Sequence, residues 1–321
     1  MLSLKKIVIS LLALVLIIPV TGFGYIYFKL GTMHEDNSEI SGITDDSSYK
    51  QVNGITNILL VGIDARNLNE NSRSDSMMIL TIDNANNSLK LTSLARDTFV
   101  DIPGHGMEKL THAYAYNGIS TLLETVEQNF EIDLNGYAIV NFYTFVDIID
   151  TLDGVEVTVD SNEIREVNKY IPESYEFDKN KNKGPMEYVR SSGTQTLKGY
   201  QALSYSRIRK ADSAFARDGR QREVIQSIMK KASSAPVSKY PELMDSILPY
   251  VKTNFSPSQM LNLGFTVYKI GNFDINQLQF PILEHSTGGN VGNSGWVLQW
   301  DKDENLQILH DFIYEDKLIS E

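Results

Sequence analysis

No cysteine occurs among the 321 residues. That removes disulfides, thiolate metal sites and cysteine nucleophiles together, and it suits a protein exported to an oxidising compartment. Histidine is scarce and scattered: His105, His112, His285 and His310 share no motif, so each is expected to be structural or exposed. Positive charge is the minority sign, with 29 lysines and arginines against 41 aspartates and glutamates for a net charge of −12. No helix-turn-helix pattern is present either, which argues against direct binding of nucleic acid. Past the first thirty residues no second apolar run is long enough to span a membrane, and no internal repeat is visible. What is present, 42% hydrophobic and 22% charged residues, is an ordinary globular balance that permits a sizeable core.

The first residues point to a compartment. Lys5 and Lys6 precede an apolar run from Ile7 to Leu30 in which Lys29 is the only charge. About 24 residues of helix measure roughly 36 Å, enough to cross a bilayer and longer than the apolar part of a cleaved signal peptide. Lysines before the run, with Glu35 and Asp36 after it, place the N-terminus in the cytoplasm. The expected organisation is therefore a cytoplasmic N-terminus over 1–6, an uncleaved membrane anchor over 7–30, a polar linker over 31–51 and a folded domain outside the cytoplasm over 52–321.

Within that domain the apolar runs Asn57–Ile63, Asp75–Asp83 and Ser88–Ala95 read as a strand meander with an Asn-rich turn. Helical periodicity follows at Ile119–Phe130 and Tyr143–Leu152, around strand-like Gly136–Asn141, and alternation returns at Val155–Val159. The polar stretch 162–192 reads as a surface excursion. Helices are expected over Leu197–Ser206, Gly219–Ser233, Pro241–Tyr250 and Pro257–Ile270, then a strand and a helix near Glu304–Tyr314. The mixture predicts an α/β fold: one layered domain with a central mixed sheet flanked by helices, preceded by the single transmembrane helix.

Three charged clusters stand out. GIDAR and RSDSM place Asp64 at the end of one strand and Arg73 and Asp75 at the start of the next, where period-two alternation points Arg73 and Asp75 the same way. Two carboxylates can hold a hard cation such as Mg²⁺ together with phosphate oxygens; on spacing alone a surface salt bridge is the commoner outcome. SLARD ends an apolar strand with Arg96 and Asp97. The segment LSYSRIRKADSAFARDGRQRE gathers Arg207, Arg209, Arg217, Arg220 and Arg222 in an acidic chain. Guanidinium groups bind phosphate through paired, charge-assisted hydrogen bonds, so converging arginines suggest a pyrophosphate; a solvated helix face paired to Asp212, Asp218 and Glu223 is the even alternative. Aromatic runs such as NFYTFVDIIDTL and LGFTVYKI read mostly as core.

Taken in order, NILLVGID, RSDSM, SLARD, VNFYTFVDIID, DGVEV, LKGYQALSYSRIR and RDGRQRE resemble the LytR-CpsA-Psr proteins of bacterial, chiefly Gram-positive, cell envelopes. The resemblance covers the anchor and about Asn57 to Met229, and is weak after Tyr240. It implies transfer of a teichoic acid, capsular polysaccharide or similar glycopolymer from an undecaprenyl pyrophosphate carrier to a peptidoglycan acceptor at the cell membrane. By position it implies Mg²⁺ (or Mn²⁺) on Asp64 and Asp75. Arg73, Arg96, Arg207, Arg209, Arg217, Gln221 and Lys109 would hold the pyrophosphate, with Arg73, Asp75 and Arg96 at the reacting centre. Ala95 and Asp153 depart from the family's usual proline and glycine. A pyrophosphatase using water, or a non-catalytic lipid-binding protein acting indirectly on transcription, are the competing expectations.

Overall fold

A computed structural model describes residues 24–35, 49, 51–64, 72–180, 183–208, 214–236, 239, 241–242, 245, 251–271 and 274–317. Strands β1 (Ile55–Ile63), β2 (Ser74–Asp83) and β3 (Ser88–Leu94) form the expected antiparallel meander. A hairpin of β4 (Phe99–Ile102) and β5 (Gly106–Lys109) leads into helix α1 (Leu110–Phe130). Then come β6 (Gly136–Asn141), α2 (Phe142–Thr151), β7 (Val155–Val159), α3 (Ile164–Phe177), β8 (Gly193–Leu197), α4 (Gly199–Ser206) and α5 (Ala214–Ser234). The chain ends with β9 (Lys252–Thr253), α6 (Pro257–Ile270), β10 (Ile275–Phe280), a hairpin of β11 (Ser286–Val291) and β12 (Gly295–Trp300), and α7 (Lys302–Tyr314).

The main sheet has the order β10-β3-β2-β1-β6-β9. It is mixed, as expected: β1 pairs parallel with β6 and β3 parallel with β10, while the meander and the β6–β9 pair are antiparallel. Alternation along β1 decides the layers. Leu59, Val61 and Ile63 go to one face, where Leu122, Val126 and Phe130 of α1 and Leu309 and Phe312 of α7 cover them. Ile58 and Leu60 go to the other, toward α5 (Ile225, Met229) and α6 (Met260, Leu263, Val267). Each large side chain so buried contributes roughly 1.5–3 kcal/mol. A further cluster joins the β7–β8 pair to α3 and α4 through Val157, Val167, Ile171 and Tyr200.

Helix α1 begins earlier than its sequence periodicity suggests because it is broken at Asn117–Gly118, where Gly118 takes φ 62° and ψ −141°. Only glycine adopts that conformation readily. Stretch 162–192 is not all surface loop: α3 buries Val167, Ile171 and Ser174 on one face despite Pro172. Of the helix expected over Pro241–Tyr250, residues 241, 242 and 245 are helical and the others lie outside the described residues.

Residues 24–31 are helical, and residues 7–23 of the expected anchor lie outside the described residues. Among the described residues no helix is long and apolar enough to cross a membrane. The expected linker is paired at its start: Glu35 donates to the Thr253 carbonyl (2.9 Å), and the Thr253 N–H to Met33 (3.1 Å).

Two buried ionisable groups are part of the scaffold. Lys90, fully buried, meets Asp83 and Asp316 at 3.0 Å each and donates to the Ile313 carbonyl at 3.1 Å, tying β3 to α7. Burial alone would raise the Asp83 pKa, but hydrogen bonds from Asn86 and Lys90 bring it below the usual carboxylate range. Glu127 of α1 is pushed up to about 8, by burial first and then by Asp133 and Glu124, against the Leu134 N–H that it accepts at 3.0 Å.

Candidate active site

The carboxylate Asp75 owes its position to an irregularity in the meander. Gly62 pairs with Ser76 but Ile63 pairs with Ser74, so Asp75 is the extra residue of a β-bulge beside the end of β1. Bulges re-aim side chains and are frequent next to active sites. Arg73 lies before β2, is exposed, and is not among the residues that line the cavity below, whereas Asp75 and Asp64 both are.

That cavity, about 260 Å³, lies between the sheet and three helices. Leu60 and Met78 of the meander and Ala138 and Val140 of β6 form one wall, with Phe142, Phe145 and Ile148 of α2 and Leu203, Ile225 and Ile228 of α4 and α5 opposite. Asp64, Asp75, Ser76, Asn141, Ser206, Arg207, Arg217 and Gln221 supply its polar lining. Gly199 lets α4 approach α2, since a Cβ there would sit 2.4 Å from the Val146 carbonyl oxygen. At the start of α2, Asn141 accepts the Thr144 N–H at 3.1 Å and so caps the helix.

Electrostatics at this end of the sheet form a chain. Arg96 meets Asp75 at 2.6 Å and Asp97 at 3.5 Å, and Lys109 meets Asp97 at 3.1 Å. Burial alone would lower the Arg96 pKa, yet Asp75 and Asp97 hold it above its ordinary value, so it stays charged. Gln221 accepts from Ser76 Oγ at 2.8 Å and donates to the Ser206 carbonyl at 3.4 Å, joining α5 to β2 and α4. Arg207 is set by Glu173 at 2.9 Å and lies over the rings of Phe142 and Tyr170, centroids 5.1 and 5.3 Å away. Arg217, 5% exposed, reaches Asp218 at 3.4 Å, and among the described residues its buried Nε has no hydrogen-bond partner. A buried, unsatisfied guanidinium N–H beside a cavity is suited to an anion.

Of the residues predicted from sequence, Asp64, Asp75, Arg207, Arg217 and Gln221 line the cavity. Arg96 and Lys109 join Asp75 through the ion-pair chain. Arg209 lies outside the described residues. Arg220 is buried and bound to Glu163 and the Ile208 carbonyl, and Arg222 reaches Gln277 and Gln279, so neither belongs to the cavity. Sequence reasoning missed Ser76, Ser206 and the apolar lining; Phe142, Phe145 and Ile148 carry the same signal as the core residues Val146 and Ile149 beside them. Asp147, on α2 but not among the lining residues, is pushed up to about 6 by burial and by Asp178 and Asp150.

For a metal, the chemistry of the donors is the test. Asp64 and Asp75 offer hard oxygens to one cavity, and among the described residues no group of three or more metal-binding side chains exists. Two carboxylates fit a cation such as Mg²⁺, which takes its remaining ligands from phosphate and water.

Charged side chains thus share an apolar cavity within a three-layer α/β domain. The chain belongs to the LytR_cpsA_psr family, which it matches over residues 22–311. It is 33% identical over 270 residues, 80% of each chain, to the polyisoprenyl-teichoic acid–peptidoglycan teichoic acid transferase TagT of Bacillus subtilis (strain 168). To regulatory protein MsrR of Staphylococcus aureus (strain COL) it is 31% identical, over 82% of this chain and 76% of that one. Among solved structures, TagT bound to LI-WTA is similar with a TM-score of 0.68 at 27% identity, over 87% of this chain and 97% of that one. TagT with bound octaprenyl pyrophosphate lipid has a TM-score of 0.64 at 25% identity, over the same shares.

Proposed function

We propose that this protein transfers a phosphorylated glycopolymer, of the teichoic acid class, from a polyprenyl pyrophosphate carrier to peptidoglycan. The observation that carries the reading is the apolar cavity with Arg207 and the unsatisfied Nε of Arg217 beside it, a receptacle for a prenyl chain ending in pyrophosphate. The relatives named as teichoic acid transferases and the similar structure holding octaprenyl pyrophosphate support it.

In this reading Arg207 and Arg217 bind the pyrophosphate oxygens, and Arg96, with Lys109 behind Asp97, faces the phosphorus that bears the glycan. By their place in the family's motifs, Arg73 and Arg209 add positive charge for the pyrophosphate. A sugar hydroxyl of peptidoglycan attacks that phosphorus, the bond to the bridging oxygen breaks, and polyprenyl monophosphate leaves with the bridging electron pair. The hydroxyl proton passes to a carboxylate at the mouth, Asp97 or Asp75. Asp64 and Asp75 would hold Mg²⁺ or Mn²⁺, which neutralises pyrophosphate charge when bound. Fixed positive groups stabilise charge as it develops, which is the main demand of phosphoryl transfer. The apolar run 7–30 anchors the chain in the cell membrane with the N-terminus inside. Tyr25, Tyr27 and Phe28, all exposed, end that run as interfacial aromatics do.

The test incubates the full chain in detergent micelles with a prenyl-pyrophosphate glycan, peptidoglycan oligomers and Mg²⁺. Covalent glycan on peptidoglycan is expected, reduced at least about 100-fold by Asp75→Ala or Arg207→Ala without loss of the melting transition. Hydrolysed lipid with no glycan transferred to any acceptor would replace the transferase with a pyrophosphatase.

A further inference from the structure

The hairpin of β11 and β12 lies against the charged end of the sheet. The Leu298 N–H donates to the Asp97 carbonyl at 2.8 Å, and Thr98 and Leu298 form a parallel bridge. Alternation puts Trp296, Leu298 and Trp300 on one face of β12. Leu298 is buried, and Trp300 packs on Phe130 and Phe280 and donates Nε1–H to the Phe99 carbonyl at 2.9 Å. Trp296, at the outer end of the row, is 47% exposed. Because β12 runs parallel to the Asp97–Thr98 segment, the indole lies toward the Arg96 side, two residues or roughly 7 Å along the strand from the Leu298 contact.

The indole is fixed in place. Its six-membered ring lies over Gly288, where a Cβ would come within 2.5 Å of it, and exposed Asn290 is its cross-strand partner. A tryptophan supported on one side by bare backbone and open on the other, next to a primary amide, is a surface for stacking the C–H face of a sugar ring while the amide meets its hydroxyl or acetamido groups.

We propose that Trp296 and Asn290 form the acceptor subsite, which holds a sugar ring of the peptidoglycan glycan strand beside Arg96 and Asp97. The proposal rests on the transferase reading, and its contiguity with Asp97 is what selects this occupant. No bond is made or broken at the subsite. It supplies binding energy for the acceptor ring.

The sequence contains two tryptophans, and Trp300 is packed against Phe130 and Phe280 away from the proposed subsite, so a change in indole emission on glycan binding is assigned to Trp296 and checked by its loss in Trp296→Ala. Titration of the full chain in detergent micelles with a soluble oligomer of alternating N-acetylglucosamine and N-acetylmuramic acid is expected to change that emission saturably. Trp296→Ala should abolish the change and leave Trp300 emission as before; Trp296→Phe should retain acceptor binding. In the transfer assay Trp296→Ala should raise the acceptor KM about tenfold, with kcat and the affinity for prenyl pyrophosphate unchanged. Glycan affinity unaltered in Trp296→Ala, or an emission response to lipid vesicles and none to the glycan, would overturn the subsite. If the wild-type chain transfers nothing yet the titration saturates through Trp296, the glycan platform stands and the transferase reading falls.

Discussion

Glu127→Gln is expected to stabilise the protein at neutral pH and to change little in acid. The side chain is 5% exposed on α1, with Asp133 and Glu124 as acidic neighbours, and its pKa is raised from 4.5 to about 8. A carboxyl so raised holds its proton more tightly in the folded chain. Its contribution is therefore fully present below about pH 4.5 and is lost as the pH climbs through 8. At pH 7 the unfolded chain has released this proton while the folded chain keeps it, a linkage cost of about 2.5 units times 1.36, or about 3 kcal/mol. At pH 5 the same difference is about 0.8 kcal/mol. Glutamine retains an oxygen for the Leu134 N–H, presents an NH₂ toward Asp133, and has no charge to lose. Urea denaturation followed by far-ultraviolet circular dichroism should show a gain of about 3 kcal/mol at pH 7 and less than about 1 kcal/mol at pH 5. An equal gain at both pH values, or a loss at pH 7, would refute the reasoning.

Two other substitutions probe the scaffold and the cavity. Lys90→Met leaves Asp83 buried beside an apolar chain, and the loss of one partner should cost about 3–5 kcal/mol in the same denaturation experiment; a cost under about 1 kcal/mol would mean that the pair contributes nothing. Ile225→Trp fills the cavity with an indole, so it should abolish binding of a long prenyl pyrophosphate in calorimetry while a short-chain pyrophosphate still binds; unchanged long-chain affinity would move the lipid elsewhere.

The meander, β6, α2 and β7 were legible because their apolar residues follow the two periods that separate strand from helix. The charged cavity residues were legible too, since Asp64, Asp75, Arg207 and Arg217 stand in short motifs that resemble a family. Other features leave no such trace. A bulge is one residue of register and cannot be read from strand composition, so alternation gave no sign that Asp75 is the extra residue between Ser74 and Ser76. Helix α3 was hidden by Pro172 and by an apolar face only three or four residues strong. The runs read as core divide in the fold: Phe145 and Ile148 face the cavity, Val146 and Ile149 the interior, and Phe265 and Tyr268 are 66% and 78% exposed. Periodicity identifies an apolar face but not whether another side chain or empty space lies against it. The β11–β12 hairpin, with its STGGNVGNSG segment, has the composition of a loop, and its pairing to the Asp97 segment comes from tertiary contact.

Strand β1 serves two purposes: Leu59, Val61 and Ile63 are buried in the cluster with α1 and α7, even where Val61 and Ile63 border the cavity, while Leu60 and Gly62, with Asp64 just past the strand, line the cavity without belonging to that cluster. A genetic screen of this strand would therefore yield two interleaved kinds of defective allele. Those at odd positions from 59 to 63 would be temperature-sensitive and open to suppression by any change elsewhere that stabilises the fold. Their neighbours at even positions would stay defective at every temperature, and no global suppressor would restore them.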